Sequence, residues 1–240
     1  MKTILHKSNQ RGSANYGWLS AKYSFSFANY YNPQKVNFGA LRVLNDDIIE
    51  GGTGFGTHPH DNMEIITIPL KGALKHKDSM SNEWIKLGTG EVQVMSAGTG
   101  LQHSEMNNSS NDPLNLFQIW IIPNERNVAP RYDQRKFNAL DRKNRLQTLV
   151  TSISEKENGA LEIHQNAKIS RANLDENVDV NYQLKSYKHG VYIMVISGRV
   201  QINKTVLNER DAMGIYDTDS FSVMAQKSSE LLFIEVPMKF

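Results

Sequence analysis

Apolar side chains in this chain fall in short runs of Val, Ile, Leu, Phe and Tyr, each closed by Gly, Asn, Asp, Ser or Pro. FGALRVLNDD, MEIITIPLKG, EVQVMSAGTG, FQIWIIPNE, VYIMVISG, DAMGIYDTDS and ELLFIEVP all have this form. Runs this short, rich in β-branched and aromatic residues and bounded by turn formers, predict strands. Helical spacing surfaces only weakly, around residues 131–145 and 170–180, so helices should be few and short. The rhythm predicts an all-β protein built as a sandwich or barrel.

Two stretches share one plan. EIITIPLKGALKH (Glu64–His76) and VYIMVISGRVQIN (Val191–Asn203) each run strand, Gly turn, returning strand, and LGTGEVQVMSAGTG and LNERDAMGIYDTDS follow them with similar length and character. Such self-similarity predicts a duplicated β-domain. Between about residues 131 and 150 the apolar periodicity fades and charge accumulates, as in RYDQRKFNALDRKNR, which predicts a solvated connector there. The expected division is an N-terminal domain over residues 1–135 and a C-terminal domain over residues 136–240.

The seven histidines are shared unevenly: His58, His60, His76 and His103 follow the first plan, only His164 and His189 the second, and His6 stands near the start. Side chains at i and i+2 of a strand share a face, so His58 with His60, and His103 with Glu105, form two same-face pairs. On neighbouring strands the pairs would bring three imidazoles and one carboxylate to a single point, a metal site in the first half alone. Glu64 has the same parity as His58 and His60, but a fifth donor would crowd a metal, so it is expected to orient a histidine. His6, His76, His164 and His189 are expected to be surface or hydrogen-bonded core residues. Imidazole and carboxylate without thiolate suit Fe(II), Mn, Co, Ni or Cu. Zn would also bind, though a closed tetrahedral set would leave no room for substrate. Tyr16–Tyr31 carries seven aromatics, which read as core, with the wall of a pocket for a flat ligand as the lesser alternative. The Gly-rich loops GGTGFG and SAGTG lack the Lys-Ser/Thr and helix of a phosphate cradle and read as tight turns.

Bulk composition limits the partners. The 27 basic and 25 acidic side chains are scattered and leave a formal charge of +2, too weak a field for direct nucleic-acid binding to be expected. Cysteine is absent, which excludes disulfides and thiolate ligands and suits a reducing compartment. MKTILHKSNQRGS lacks the apolar run of a signal peptide, and no apolar run approaches the roughly 20 residues that span a bilayer. A soluble cytoplasmic protein, not associated with membrane, is expected.

GTGFGTHPHDNMEIITIPLKG resembles the first cupin motif, G-x5-H-x-H-x3-E-x6-G, starting at Gly52 and with its last Gly one place late at Gly72. GEVQVMSAGTGLQHSEMN resembles the second, with His103 two places later than usual and Glu105 added. With the opening YGWLSAKYSFSFANYYNP, these features resemble the pirin family over nearly the whole chain. The resemblance implies two cupin barrels (double-stranded β-helix or jelly-roll) in tandem, with a metal, normally iron, held by His58, His60, His103 and Glu105 in the first and none in the second.

THPHDNMEI and MSAGTGLQHSEMN look most like the bacterial branch with quercetin 2,3-dioxygenase activity. This implies an enzyme that opens the central ring of a flavonol such as quercetin with O2 and releases carbon monoxide. Glu105 is then the candidate general base for the flavonol hydroxyl, besides being a ligand. An alternative from the same family is an iron-containing redox-sensing or regulatory protein acting through a protein partner. The native metal and the physiological substrate stay open at this point. The cavity separates the two: an enzyme needs an apolar pocket of several hundred cubic ångströms open to the metal.

Overall fold

A computed structural model describes every residue except Lys156 and Asn158. The N-terminal half contains β1 (Lys2–His6), β2 (Gly12–Asn15), β3 (Leu19–Tyr23), β4 (Leu41–Ile49), β5 (Gly54–His60), β6 (Glu64–Lys71), β7 (Ala73–Asp78), β8 (Ile85–Gly88), β9 (Glu91–Ser96), β10 (Leu101–Asn107), β11 (Leu114–Ile121) and β12 (Arg131–Lys136). The C-terminal half contains β13 (Gln147–Ser152), β14 (Leu161–Ile163), β15 (Lys168–Leu174), β16 (Asp179–Gln183), β17 (His189–Ile202), β18 (Thr205–Asn208), β19 (Ala212–Tyr216) and β20 (Ser220–Pro237).

In the first half a seven-stranded sheet, β12-β9-β6-β11-β4-β3-β2, faces a four-stranded sheet, β5-β10-β7-β8. The second half is one nine-stranded sheet, β1-β19-β17-β20-β15-β13-β14, with β16 on β20 and β18 on β17. The expected repeat is visible in β6 and β7 against β17. Gly72 (φ +83°) separates two strands in the first copy, while Gly198 (φ +90°) sits inside one continuous strand in the second, where the pairing with β20 slips register. A left-handed backbone there is open to glycine without strain. At Gly198 a Cβ would also lie 2.3 Å from the Ser228 carbonyl oxygen.

Four expectations need correction. The two cupin domains are open: among the described residues none of the three sheets closes on itself as a barrel would. The weak helical spacing at 131–145 and 170–180 yields strand instead, apart from the 3-10 turn Ala139–Arg142, because β12 and β15 each find a partner strand. The segment read as connector therefore begins as a sheet edge, β12 on β9. Finally, β1 leaves its own half and pairs with β19, so the sheets depart from the 1–135 and 136–240 division at the start.

The halves share a core. Ile66, Ile68 and Phe117 from the seven-stranded sheet pack with Ile169, Tyr192 and Leu232 from the nine-stranded sheet in one buried cluster. The first half keeps only small clusters between its own sheets, around Leu74, Leu87 and Leu116 and around Ile65 and Met95. The space left between those sheets is the cavity described below. Among the described residues no helix is long and apolar enough to cross a membrane.

Candidate metal centre

Antiparallel β5 and β10 place His58 directly opposite His103. The register slips between His103 and Glu105, so Gly56 and Thr57 together face Ser104, a bulge that tilts the end of β5. The three rings of His58, His60 and His103 lie 4.3 to 4.9 Å apart by centroid. A ring nitrogen of each lies within 4.8 Å of the others. The two strands thus bring these three rings together.

The lone pairs are available. His58 Nδ1 donates to the Gly56 carbonyl at 2.8 Å, leaving Nε2 as the acceptor. Burial, then the charge of His58, lowers His60 to about 4. Burial first, then His58, His60 and His76, lowers His103 to about 2, so its ring is neutral. His103 Nε2 is buried with no hydrogen-bond partner. A buried polar atom left alone costs about 1–3 kcal/mol, so an orphan facing two more imidazoles is the mark of a ligand position. Three imidazoles and a nearby carboxylate, without sulfur, suit a divalent metal ion.

Glu105 is grouped within 4.8 Å of His103 and His76, and it lines the same cavity as His58 and His60. Gln118 Nε2 donates to one carboxyl oxygen at 3.0 Å and Thr67 Oγ1 to the other at 3.5 Å. Burial pushes Glu105 up to about 7 against the effect of those two bonds.

Glu64 is not where parity put it. Asp61–Met63 turns the chain from the four-stranded to the seven-stranded sheet, with Asn62 at φ +44°, so the parity count does not carry across. Glu64 shares the face of Ile66 and Ile68, toward the C-terminal half, and accepts from Ser96 Oγ at 2.7 Å. It bonds no histidine of the cluster; Thr67, on the opposite face of β6, reaches the site instead. Burial raises Glu64 from 4.5 to about 7. The folded state then holds this proton over a pH range where the unfolded chain has released it, so the fold loses stability as pH rises between those values. Glu64→Gln should remove that slope. Relative to wild type, denaturant unfolding should show little change near about pH 5 and a gain on the order of 2 kcal/mol near about pH 8. Metal content should be unchanged; a variant less stable than wild type at the higher pH would show a charged, stabilising Glu64.

A cavity of about 440 Å³ opens onto His58, His60 and Glu105, walled by Trp18, Tyr23, Phe27, Phe55 and Trp120. The aromatic stretch therefore divides: Tyr23 and Phe27 line the cavity, while Phe25 enters the shared core, because the chain leaves β3 after Tyr23. Asn45 Oδ1 and Asp47 Oδ1, on the same wall, are buried without partners. Burial, with Asp46 and Glu105 adding to it, pushes Asp47 up to about 8. These residues were missed from sequence, although an Asn-Asp-Asp run inside an apolar strand, and Gln118 inside FQIWII, were signals to follow.

His76, expected to be a hydrogen-bonded core residue, is fully buried and bonded to Asp78, and it also touches His103. The other histidines lie apart from the site: His6 meets the Tyr192 hydroxyl at 2.8 Å, His189 meets Glu235 at 3.1 Å, and His164 lies 3.8 Å from Glu125.

The Pirin family model matches residues 5–121, and the quercetinase C-terminal cupin domain model matches residues 149–236. A quercetin 2,3-dioxygenase of Escherichia coli K12 is 45% identical over 233 residues, covering 97% of this chain and 98% of that protein. A pirin-like protein of Caulobacter vibrioides is 40% identical over 224 residues, covering 93% and 95%. The crystal structure of the bacterial pirin YhhW from Escherichia coli, in complex with nickel(II), superposes with a TM-score of 0.91 at 42% identity, covering 98% of this chain and 99% of that one. By sequence along its length and by fold, this chain belongs to the pirin family.

Proposed function

We propose that this chain is a metal-dependent dioxygenase that cleaves the central ring of a flavonol such as quercetin with O2 and releases carbon monoxide. His58, His60, His103 and Glu105 hold the metal, Fe(II) being the ion proposed for the native enzyme. The observation that carries this reading is the aromatic cavity of about 440 Å³ opening onto His58, His60 and Glu105, a volume suited to a flat polycyclic ligand. Quercetin 2,3-dioxygenases among its relatives support the same choice.

Trp18, Phe27, Phe55 and Trp120 would hold the ring system by face and edge contacts and keep bulk water away. Glu105, steadied by Gln118 and Thr67, is the group within the cavity that can take the proton of the reacting hydroxyl. Asn45 and Asp47 offer unoccupied acceptors to further hydroxyls of the substrate. A bound metal would supply a Lewis-acidic, redox-capable centre for the hydroxyl and O2. A large cavity at the site is what the enzyme reading needs, and a purely regulatory role does not require it.

Oxygen uptake tests the reading. Metal-loaded protein should consume O2 with a flavonol and should not do so with the flavone that lacks only the 3-hydroxyl. Tight binding of both compounds with no O2 consumed would favour the regulatory alternative.

A further inference from the structure

His103 has two ring nitrogens and two directions. Nε2 is the orphan of the cluster; Nδ1 lies 3.5 Å from His76 Nδ1. His76 Nε2 in turn lies 3.0 Å from Asp78 Oδ2, and Asp78 Oδ1 accepts the backbone N–H groups of Met80 and Ser81 at 2.9 and 3.1 Å. The register of β7 and β10 builds this line, setting Asp78 opposite His103 and His76 opposite Glu105. His76 is 0% exposed and is held by Tyr132, stacked on it at 4.9 Å.

We infer that Asp78 and His76 are positioning residues that fix the tautomer of His103 and so keep its Nε2 lone pair open for the metal. The inference rests on the metal site proposed above. Each link follows from donor and acceptor counts. A carboxylate only accepts, so His76 Nε2 carries the proton. His103 Nε2 finds no hydrogen-bond partner, whereas its Nδ1 faces His76 Nδ1 at 3.5 Å, so of that nitrogen pair His76 Nδ1 is the acceptor. His103 must then donate from Nδ1, which leaves Nε2 bare. Outer partners of this kind orient ligating histidines, and their loss typically costs roughly 10–100-fold in metal affinity.

Asp78→Asn is the sharp test, because it is nearly isosteric and touches no proposed ligand. Two backbone N–H groups hold the side-chain oxygen, so the amide N–H₂ must face His76. That reverses the line: His76 Nε2 accepts, Nδ1 donates, and His103 is left protonated at Nε2. An Asp→Asn change beside a histidine can leave geometry intact and still enforce the wrong tautomer.

Two measurements read this. Imidazole ¹⁵N shifts of the metal-free protein should show His103 protonated at Nδ1 in wild type and at Nε2 in Asp78→Asn. Ni(II) affinity by chelator competition should fall roughly 10–100-fold in Asp78→Asn. In a His76→Phe background, where the line is cut, Asp78→Asn should have no further effect on affinity. Unchanged shifts in Asp78→Asn, or the same affinity loss with and without His76, would overturn the inference. Binding of two Ni(II) ions by wild type, one of them lost in His76→Phe, would also overturn it by making His76 a ligand. The shift measurement needs no metal, so it stands even if the proposed metal site fails.

Discussion

His103→Ala is expected to leave the protein folded and nearly metal-free after dialysis. His103 belongs to both groups of possible donors, that of His58 and His60 and that of His76 and Glu105. Removing it breaks both, so the loss should exceed the roughly 10–100-fold attributed to outer partners. The fold should survive, with a typical cost of about 1–3 kcal/mol, because the large core clusters lie elsewhere. His58→Ala and His60→Ala should behave alike. His164→Ala, in the C-terminal half, should keep wild-type metal. Metal content per chain, read beside a thermal melt, checks this; a folded His103→Ala protein with full metal would remove the imidazole cluster from metal binding.

Glu105→Gln should separate binding from chemistry. The amide keeps an oxygen that can serve as a weak donor, so part of the metal should remain, but it cannot accept the substrate proton. Loss of a general base typically costs about 10²–10⁴-fold, so turnover per bound metal should fall by at least the lower figure. Binding should be disturbed less, although Gln118 cannot simply turn its amide to suit the new group, since its Oε1 shares the single Thr67 hydroxyl proton with Glu105, at 3.1 Å against 3.5 Å. A neutral amide is also cheaper to bury than a carboxylate, so unfolding would not explain the loss. Wild-type turnover per metal in Glu105→Gln would reduce Glu105 to a structural role.

What sequence revealed here was local. Parity within a single strand placed His58 beside His60 and located His103 and Glu105 on one strand, because the backbone alternates whatever else surrounds it. Parity failed at Glu64, where a left-handed Asn62 moves the chain to another sheet. It also passed over His76 and Asp78, which are spaced like the ligand pairs, because a same-face pair does not reveal which strand it will meet. Cross-strand partners such as Thr67, Gln118 and Asn45 depend on register among β6, β11 and β4. The exchange of β1 into the C-terminal sheet depends on a pairing across some 200 residues, and no local pattern encodes it.

The reaction itself gives the most direct test. Protein purified without oxygen, loaded with Fe(II) and mixed with quercetin and O2, should consume both and release carbon monoxide in equal amounts, with metal-free protein and His103→Ala near background. Quercetin bound or lost without carbon monoxide, or released carbon monoxide that does not depend on the metal, would contradict the account.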